Sequence, residues 1–188
     1  MQVRLADPDR DADAVATIYR PAIESTIASF EEVPPSGADM AERMRSVLSH
    51  TPWLVACDDD GRVIGYAYAT RHRERAGYRW SVDVSVYVDA AHHGRGVGRR
   101  LYEELFALLR RQGFVNAYAG IALPNPASVA LHEAMGMRRV ALYERVGWKF
   151  GAWHDVAWYG IRLAEPEGQP PEPIPLPGLH VDGPRASA

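Results

Sequence analysis

The sequence predicts a single α/β domain in which a mixed sheet is flanked by helices. The 188 residues, 47% of them hydrophobic and 24% charged, suffice for one buried core. Two strand-like runs in the first half are joined by a hairpin signal, and later runs alternate with helical patterns. Strands paired first by a hairpin and then connected through helices indicate a mixed sheet.

Short apolar runs and helical patterns alternate in the first half of the chain. Pro21 predicts the end of the first helix, because the residue before a proline avoids the helical conformation. Asp39 is a suitable N-cap for the second helix. A turn signal at residues 58–61 separates two strands. The predicted elements are a strand over 3–5, a helix over 11–19, a helix beginning near 39, and strands over 53–57 and 63–70.

The second half continues the alternation with stronger helical periodicity. Leu101, Leu105, Leu108 and Leu109 form one apolar stripe, and Gly113 is suited to the residue after a helix end. The predicted elements are a strand over 80–88, a helix over 101–112, a strand over 117–123, a helix over 127–135, and strands over 138–143 and 155–163.

The composition limits the cellular compartment and the classes of binding partner that we expect. A formal net charge of −3 gives no general attraction to nucleic acid or to an anionic membrane, and neither is an expected partner. The single cysteine, Cys57, excludes an intramolecular disulfide, and no signal segment or membrane span is apparent, so we expect a cytoplasmic protein. Residues 165–188 are rich in proline and lack aromatics, which predicts a flexible tail after a domain over 1–164.

Three alternating glycines lie between a predicted strand and the helix that follows it. Gly94, Gly96 and Gly98 leave backbone N–H groups uncovered at a helix N-terminus, which favours binding of a phosphate. Arg99 follows where a dinucleotide fingerprint requires a third glycine, and no Gly-Lys-Ser/Thr of a P-loop occurs. Alternatively, the glycines only make a tight turn.

The run His93-Gly94-Arg95-Gly96-Val97-Gly98 resembles the hallmark of the GNAT superfamily of N-acetyltransferases, with histidine where glutamine or arginine is usual. The resemblance implies a GNAT-type fold, with a central, mostly antiparallel sheet flanked by helices. It also implies acetyl-CoA as acyl donor, with its pyrophosphate on these amides and its pantetheine along residues 86–88. Asn125 and Ser128 match a stretch beside the donor. The implied donor-binding residues are Val86, Tyr87, Val88, His93, Gly94, Arg95, Gly96, Val97, Gly98, Arg99, Asn125 and Ser128.

Four further segments resemble one branch, the phosphinothricin and methionine sulfoximine/sulfone N-acetyltransferases. They are an early stretch over 23–34, a basic loop over 73–80, a Leu-His-Glu helix over 131–136 and a Trp-His-Asp-Val signature ending at 156. The resemblance covers residues 3–163. It implies acetylation of a small amino-acid-like amine by a homodimer. Alternatives are another amine, such as an amino acid, polyamine or peptide N-terminus, or an acyl-CoA-binding module without turnover.

Amide formation from a thioester requires a neutral amine, whereas an α-amino group with a pKa of about 7.7–8.0 is largely protonated at pH 7. Asp83 stands where the branch has a glutamate regarded as the general base, and it is one methylene shorter. Alternatively, Asp83 pairs with an arginine of the basic loop. His132 matches a histidine of the branch that could act as base or proton relay, or could be a satisfied helix histidine.

Other chemistries are less compatible with the sequence. The Val88 amide is the natural donor to the oxyanion of the reaction. Cys57 has no adjacent His or Lys, so we expect no acyl-enzyme. Gly136 stands where a zinc motif beginning at His132 would need histidine, so no metal is expected. His154 is predicted to be structural and bonded to a neighbouring loop.

The resemblance assigns substrate selection to the basic loop. Arg73 and Arg75 could hold a carboxylate through two parallel hydrogen bonds, and Tyr78 matches a tyrosine of the loop. Phe30 could pack against the substrate side chain. Alternatively, the loop is a solvated charged segment and Phe30 belongs to the core.

Overall fold

The computed structural model describes residues 1–179, within which a seven-stranded sheet is covered by helices on both faces. The sheet order is β1-β2-β3-β4-β5-β7-β6, and all neighbours are antiparallel except β4 and β5, as the sequence predicts. The strands are β1 (Gln2–Leu5), β2 (Trp53–Cys57), β3 (Val63–Arg71), β4 (Ser81–Val88), β5 (Asn116–Ala122), β6 (Arg138–Lys149) and β7 (Ala152–Arg162). The helices are α1 (Pro8–Glu24), α2 (Gly37–Leu48), α3 (Val97–Gln112) and α4 (Pro126–Ala134).

Each face of the sheet has its own apolar cluster. Helices α1 and α2 pack on one face around Val15, Met40 and Tyr66. Helix α3 packs on the other through its leucine stripe, joined there by apolar residues of α4. None of the helices in the described range is long and apolar enough to cross a bilayer.

Strands β4 and β5 part after three residue pairs. Their parallel pairing covers Ser81 to Asp83, whereas β4 continues to Val88 and β5 continues along β7 to Ala122. The backbone of β4 beyond Asp83 therefore borders a gap and not a neighbouring strand. We call this place the fork, with Asp83 at its apex.

Several helix boundaries differ from the sequence prediction; α1 and α3 begin earlier than predicted, at Pro8 and Val97. Helix α1 runs through Pro21 to Glu24, because Ala22 and Ile23 are buried with the rest of its apolar face and this packing outweighs the lost proline hydrogen bond. Helix α2 is capped by Ser36 and not by Asp39. Asp39 instead completes a capping box, in which its carboxylate accepts from the Ser36 amide at 2.9 Å.

The last two strands are longer than predicted and form a hairpin through Phe150 and Gly151. The predicted boundaries of 138–143 and 155–163 are wrong, because β6 and β7 extend their pairing to Lys149 opposite Ala152. Side chains of β6 are largely exposed, so no alternation of apolar and polar residues marks its outer half.

The proline-rich segment contacts the domain between residues 171 and 176. The Ile174 amide donates to the Gln112 carbonyl at 2.7 Å, and the Leu176 side chain is buried. The remainder of the predicted tail, residues 180–188, lies outside the described part of the chain. The division into a domain and a tail stays a prediction.

Candidate active site

The glycine loop forms an open helix N-terminus. Gly94 and Gly96 have φ of 72° and 78°, and a Cβ added to either would meet nothing within 4 Å. Gly96 is the N-cap of α3 and offers no side-chain acceptor. Among the described residues, none accepts a hydrogen bond from the first α3 amides, Val97 and Gly98. These free donors at the positive end of the helix dipole fit a phosphate-bearing ligand.

Gly98 has a different role, because it lets α3 approach β4. A Cβ at Gly98 would lie 3.0 Å from Leu131 Cδ2 and 3.7 Å from the Cγ2 atoms of Val86 and Val88. The first turn of α3 therefore lies directly over the end of β4, which joins the loop to the fork.

The backbone of β4 divides its hydrogen bonds between two sides. Ser81 and Asp89 bond to the β3 side, since the Ser81 carbonyl accepts from the His72 amide and the Asp89 amide donates to Ile64. Antiparallel alternation then directs the backbone groups of Val86 and Val88 into the fork and those of Tyr87 towards β3. Of residues 86–88, which are predicted to contact the donor, only Val86 and Val88 therefore present backbone groups to the fork.

Three of the side chains predicted to contact the donor are instead bonded within the protein. His93 Nε2 donates to the Val88 carbonyl at 2.8 Å and ties the loop to β4. Arg99 pairs with Glu103 at 2.9 Å on the helix surface. Asn125 caps α4, its Oδ1 accepting from the Ser128 amide at 3.1 Å. The side chain of Arg95 is exposed beside the open amides.

Asp83 is joined to His72 at the apex of the fork. His72 Nδ1 lies 2.6 Å from Asp83 Oδ1, and the ring donates because a carboxylate only accepts. Burial raises the pKa of Asp83, against the His72 hydrogen bond, which lowers it. The alternative pairing of Asp83 with an arginine is wrong, since its ion-pair partner among residues 1–179 is His72.

Aromatic side chains surround His72. The ring centroids of Tyr118 and Tyr78 lie 4.8 and 6.0 Å from its ring, and that of Trp158 also lies at 6.0 Å. The Arg73 guanidinium carbon is 6.0 Å from the Trp158 ring centroid, and Arg73 donates to the His72 carbonyl at 2.7 Å. Arg73 and Tyr78, both predicted substrate residues, therefore border the Asp83–His72 pair.

Arg75 lies with Arg73 in a basic cavity of about 340 Å³ between the loop and the proline-rich segment. Arg71 and Arg79 complete its cationic lining. Phe30 lies elsewhere, with its ring against the backbone of Gly147, where an added Cβ would be 2.2 Å from Phe30 Cζ. It is partly exposed there, so it is not plain core.

His132 is sealed inside the protein. Its side chain is 3% exposed, and Nδ1 donates to the Ser128 carbonyl at 2.7 Å. Nε2 consequently accepts from the Tyr102 hydroxyl at 3.0 Å. Burial lowers the pKa of His132, against the hydrogen bond to Ser128. His154, predicted to be structural, donates from Nε2 to the Lys149 carbonyl at 2.9 Å, which confirms its bond to a neighbouring turn.

A larger cavity of about 570 Å³ lies between α2 and the sheet. Trp53 and Tyr68 are stacked in its wall with ring centroids 4.2 Å apart. Thr70 also lines it and is the register partner of Asp83 on the neighbouring strand. The cavity therefore reaches the strand pair that carries the fork.

Comparison with known proteins decides the family. The model of the acetyltransferase (GNAT) family matches residues 19–137. The chain belongs to the GNAT family. It is 35% identical to a phosphinothricin N-acetyltransferase of Streptomyces viridochromogenes over 164 residues, covering 87% of this chain and 88% of that one. It is 36% identical to an L-methionine sulfoximine/L-methionine sulfone acetyltransferase of Salmonella typhimurium, covering 88% and 96%.

A solved GNAT structure also superposes on nearly the whole chain. The crystal structure of a phosphinothricin acetyltransferase from Sinorhizobium meliloti in complex with acetyl-CoA has a TM-score of 0.85 and 35% identity, and covers 99% of this chain and 98% of that one. The predicted GNAT fold, the acyltransferase class and acetyl-CoA as acyl donor are thereby confirmed. The roles of individual residues stay predictions.

Two residues of this GNAT site escaped the sequence prediction. His72 precedes the basic loop by one position, and only the strand register, which sets Arg71 opposite Val82, could have placed it beside Asp83. Tyr102 lies one position after Leu101 in α3, and its contact with His132 needs the packing of α3 against α4. Neither residue carries a signal of its own in the sequence.

Proposed function

We propose that the enzyme transfers the acetyl group of acetyl-CoA to the amino group of a small amino-acid-like substrate of the phosphinothricin or methionine sulfoximine/sulfone class. The names of the similar enzymes support this substrate class. The proposal rests on the geometry of the fork. The open N-terminus of α3, which could bind phosphate, and the Asp83–His72 pair border the same gap.

The donor is proposed to lie with its phosphates on the glycine loop and its pantetheine along the fork. Acetyl-CoA supplies an acyl thioester there. The amides at the start of α3 bind the pyrophosphate, and the backbone of Val86 continues towards the apex. The Val88 amide faces the same gap, so it is available to stabilise negative charge on a carbonyl oxygen.

The acceptor is proposed to enter over the basic loop. Arg73 and Arg75 would hold its carboxylate, and Tyr78 would border its amine beside Asp83. Phe30 would contact the side chain of the substrate from the segment after α1. His132 has both ring nitrogens engaged and little exposure, so we assign the acid–base step to the Asp83 pair and not to His132.

Thiol release from acetyl-CoA tests this function across amines of different classes. Phosphinothricin, methionine sulfoximine, methionine sulfone, free amino acids, polyamines and peptides are offered separately, and the acetylated product is identified by mass. We expect turnover of the small amino-acid analogues. Turnover of peptides alone would contradict the substrate class, and tight acetyl-CoA binding without acetylation of any amine would favour a binding module.

We propose that a second copy of this chain covers β6. This strand is the edge of the sheet, and the hairpin that it forms exposes large apolar side chains, including Trp148 (57% exposed) and Trp153 (50%). An exposed edge with an aromatic surface favours association. Sedimentation of the wild type should give a dimer, and Trp148→Lys should shift it towards monomer. A monomeric wild type at micromolar concentration would contradict this.

The cytoplasm is the proposed compartment. Its support is Cys57, which is the single cysteine of the sequence and is buried as a free thiol in β2. Fractionation of cells that express the protein tests the location, and recovery outside the cytoplasm would contradict it.

A further inference from the structure

We propose that His72 is the general base of this enzyme, and that Asp83 positions it. In this account the amine of the acceptor gives its proton to His72 Nε2, while the Asp83 carboxylate holds the ring through Nδ1. The inference rests on the proposed acetylation of an amine at the fork. It names a catalytic residue on β3's side of the site, which the sequence reasoning had left out.

The geometry of the pair fixes the tautomer of His72. Asp83 Oδ1 is 2.6 Å from Nδ1, and an ionised carboxylate has no proton to donate, so Nδ1 carries the hydrogen. In a neutral imidazole the other nitrogen then bears the lone pair. No protein group within residues 1–179 is hydrogen-bonded to His72 Nε2. His72 Nε2 is therefore available to accept a proton from the substrate.

Strand pairing holds both members in place. The His72 amide donates to the Ser81 carbonyl at 3.3 Å, and Thr70 is the register partner of Asp83. His72 and Asp83 are therefore diagonal neighbours on one face of an antiparallel pair, where side chains interact. Asp83 lies in β4, and His72 directly follows β3 with its amide bonded to β4, so the pair is held at the end of the sheet.

The imidazole of His72 compensates for the short side chain of Asp83. Asp83 is at the apex of the fork, and its Oδ1 is engaged by His72. The imidazole carries the basic atom outward from the strand by the width of a ring. The negative charge of Asp83 also stabilises the imidazolium that forms, as in other carboxylate–histidine pairs of acid–base catalysis.

The surroundings of His72 suit a sheltered proton transfer. Its side chain is 16% exposed, and the rings of Tyr118, Tyr78 and Trp158 lie around it. Asp83 and Arg73 are the charged groups beside it, one on the neighbouring strand and one on the following residue. The base is therefore close to the arginine proposed to bind the acceptor carboxylate.

The proton and electron balance is complete without a further reactant. One N–H bond of the substrate ammonium breaks, its electron pair stays on nitrogen, and the proton binds the Nε2 lone pair of His72. The freed pair forms the C–N bond to the acetyl carbon as the C–S bond breaks and sulfur leaves with its pair. A second proton leaves the nitrogen and ends on the sulfur, and His72 returns its proton to water.

Two substitutions of His72 separate catalysis from folding. His72→Asn keeps an N–H near Nδ1 that can bond to Asp83 but removes the basic nitrogen, and His72→Ala removes the whole ring. We expect kcat to fall by roughly 10²–10⁴ in both, with the Kd for acetyl-CoA unchanged. Added imidazole should restore part of the rate to His72→Ala and none to Asp83→Asn, which retains its own ring in place.

The matched control is His92→Asn. His92 also pairs through Nδ1 with an aspartate, lying 3.2 Å from Asp89 Oδ1, but it stands outside the fork. It should retain wild-type kcat. Wild-type turnover in His72→Asn, or a loss in His72→Ala that imidazole does not restore while acetyl-CoA still binds, would overturn the assignment of the base. If the wild type acetylates no amine, the proposed function itself fails, and the two failures are thereby distinguished.

Discussion

Gly96→Ala tests the phosphate cradle, and the chain supplies a control for the strain that the substitution causes. Gly96 has φ of 78° and Gly61, in the β2–β3 hairpin, has φ of 81°, and an added Cβ at either meets nothing within 4 Å. Left-handed backbone costs a residue other than glycine about 1–2 kcal/mol. Both alanine variants should therefore lose a similar free energy of unfolding.

Only Gly96 borders the proposed anion site, so the two variants should differ in binding. A methyl group at the N-cap of α3 would hold a pyrophosphate away from the first helix amides. Loss of one hydrogen bond to a charged group costs about 1.5–3 kcal/mol, which is roughly a ten- to hundredfold increase in Kd. Substitution at Gly96 thus affects folding as well as binding, and the control is needed to separate them.

Titration calorimetry with acetyl-CoA measures the Kd of wild type, Gly96→Ala and Gly61→Ala, and urea unfolding measures their stability. We expect wild-type affinity in Gly61→Ala and a weakened Kd in Gly96→Ala at comparable stability loss. Equal affinities in the two variants would contradict a phosphate site at this loop, because Gly96 would then serve only the turn.

Three further predictions concern stability and the buried histidine. Burial would raise the pKa of Asp11, but hydrogen bonds from Arg4 and others outweigh it and lower the pKa to about 2; the free energy of unfolding should therefore fall as the pH drops from about 4 towards 2, and a wild-type slope in Asp11→Asn would contradict this. Ending the chain at Ala164 removes a segment with a buried leucine and backbone hydrogen bonds to the domain; urea unfolding should show a loss of about 2–4 kcal/mol, and an unchanged midpoint would refute the docking. Tyr102→Phe leaves His132 Nε2 without its donor and should cost about 1–3 kcal/mol of stability, with kcat near wild type; a tenfold fall in kcat at intact acetyl-CoA affinity would return His132 to the reaction.

Periodicity and turn chemistry predicted the elements that position the donor. The hairpin over 58–61, the leucine stripe of α3 and the glycine loop each carry a local signal, so the mixed sheet and the open helix N-terminus followed from the sequence. Boundaries failed where tertiary packing decides, as at Pro21, which α1 passes because Ala22 and Ile23 beyond it are buried. They failed again in β6, whose exposed residues show no alternation.

Asp83 of the candidate site could be predicted from the sequence, whereas its partner His72 could not. The resemblance to the phosphinothricin N-acetyltransferase branch indicates Asp83, but the partner of Asp83 depends on the register between β3 and β4. His132 matched a sequence pattern, yet its engagement with Tyr102 depends on how α3 and α4 pack. The family resemblance therefore indicates the carboxylate, whereas the histidine beside it is found only from the three-dimensional pairing.

Transfer of a labelled acetyl group is the most direct test of whether the enzyme acetylates the amino group of these amino acids. The wild-type enzyme is incubated with acetyl-CoA that carries ¹³C in its acetyl group and with methionine sulfoximine or phosphinothricin, and the product is examined by NMR. We expect the label on the α-nitrogen of the amino acid, with one thiol released for each amide formed. Thiol release without a labelled amide, or no release with either amino acid, would contradict it.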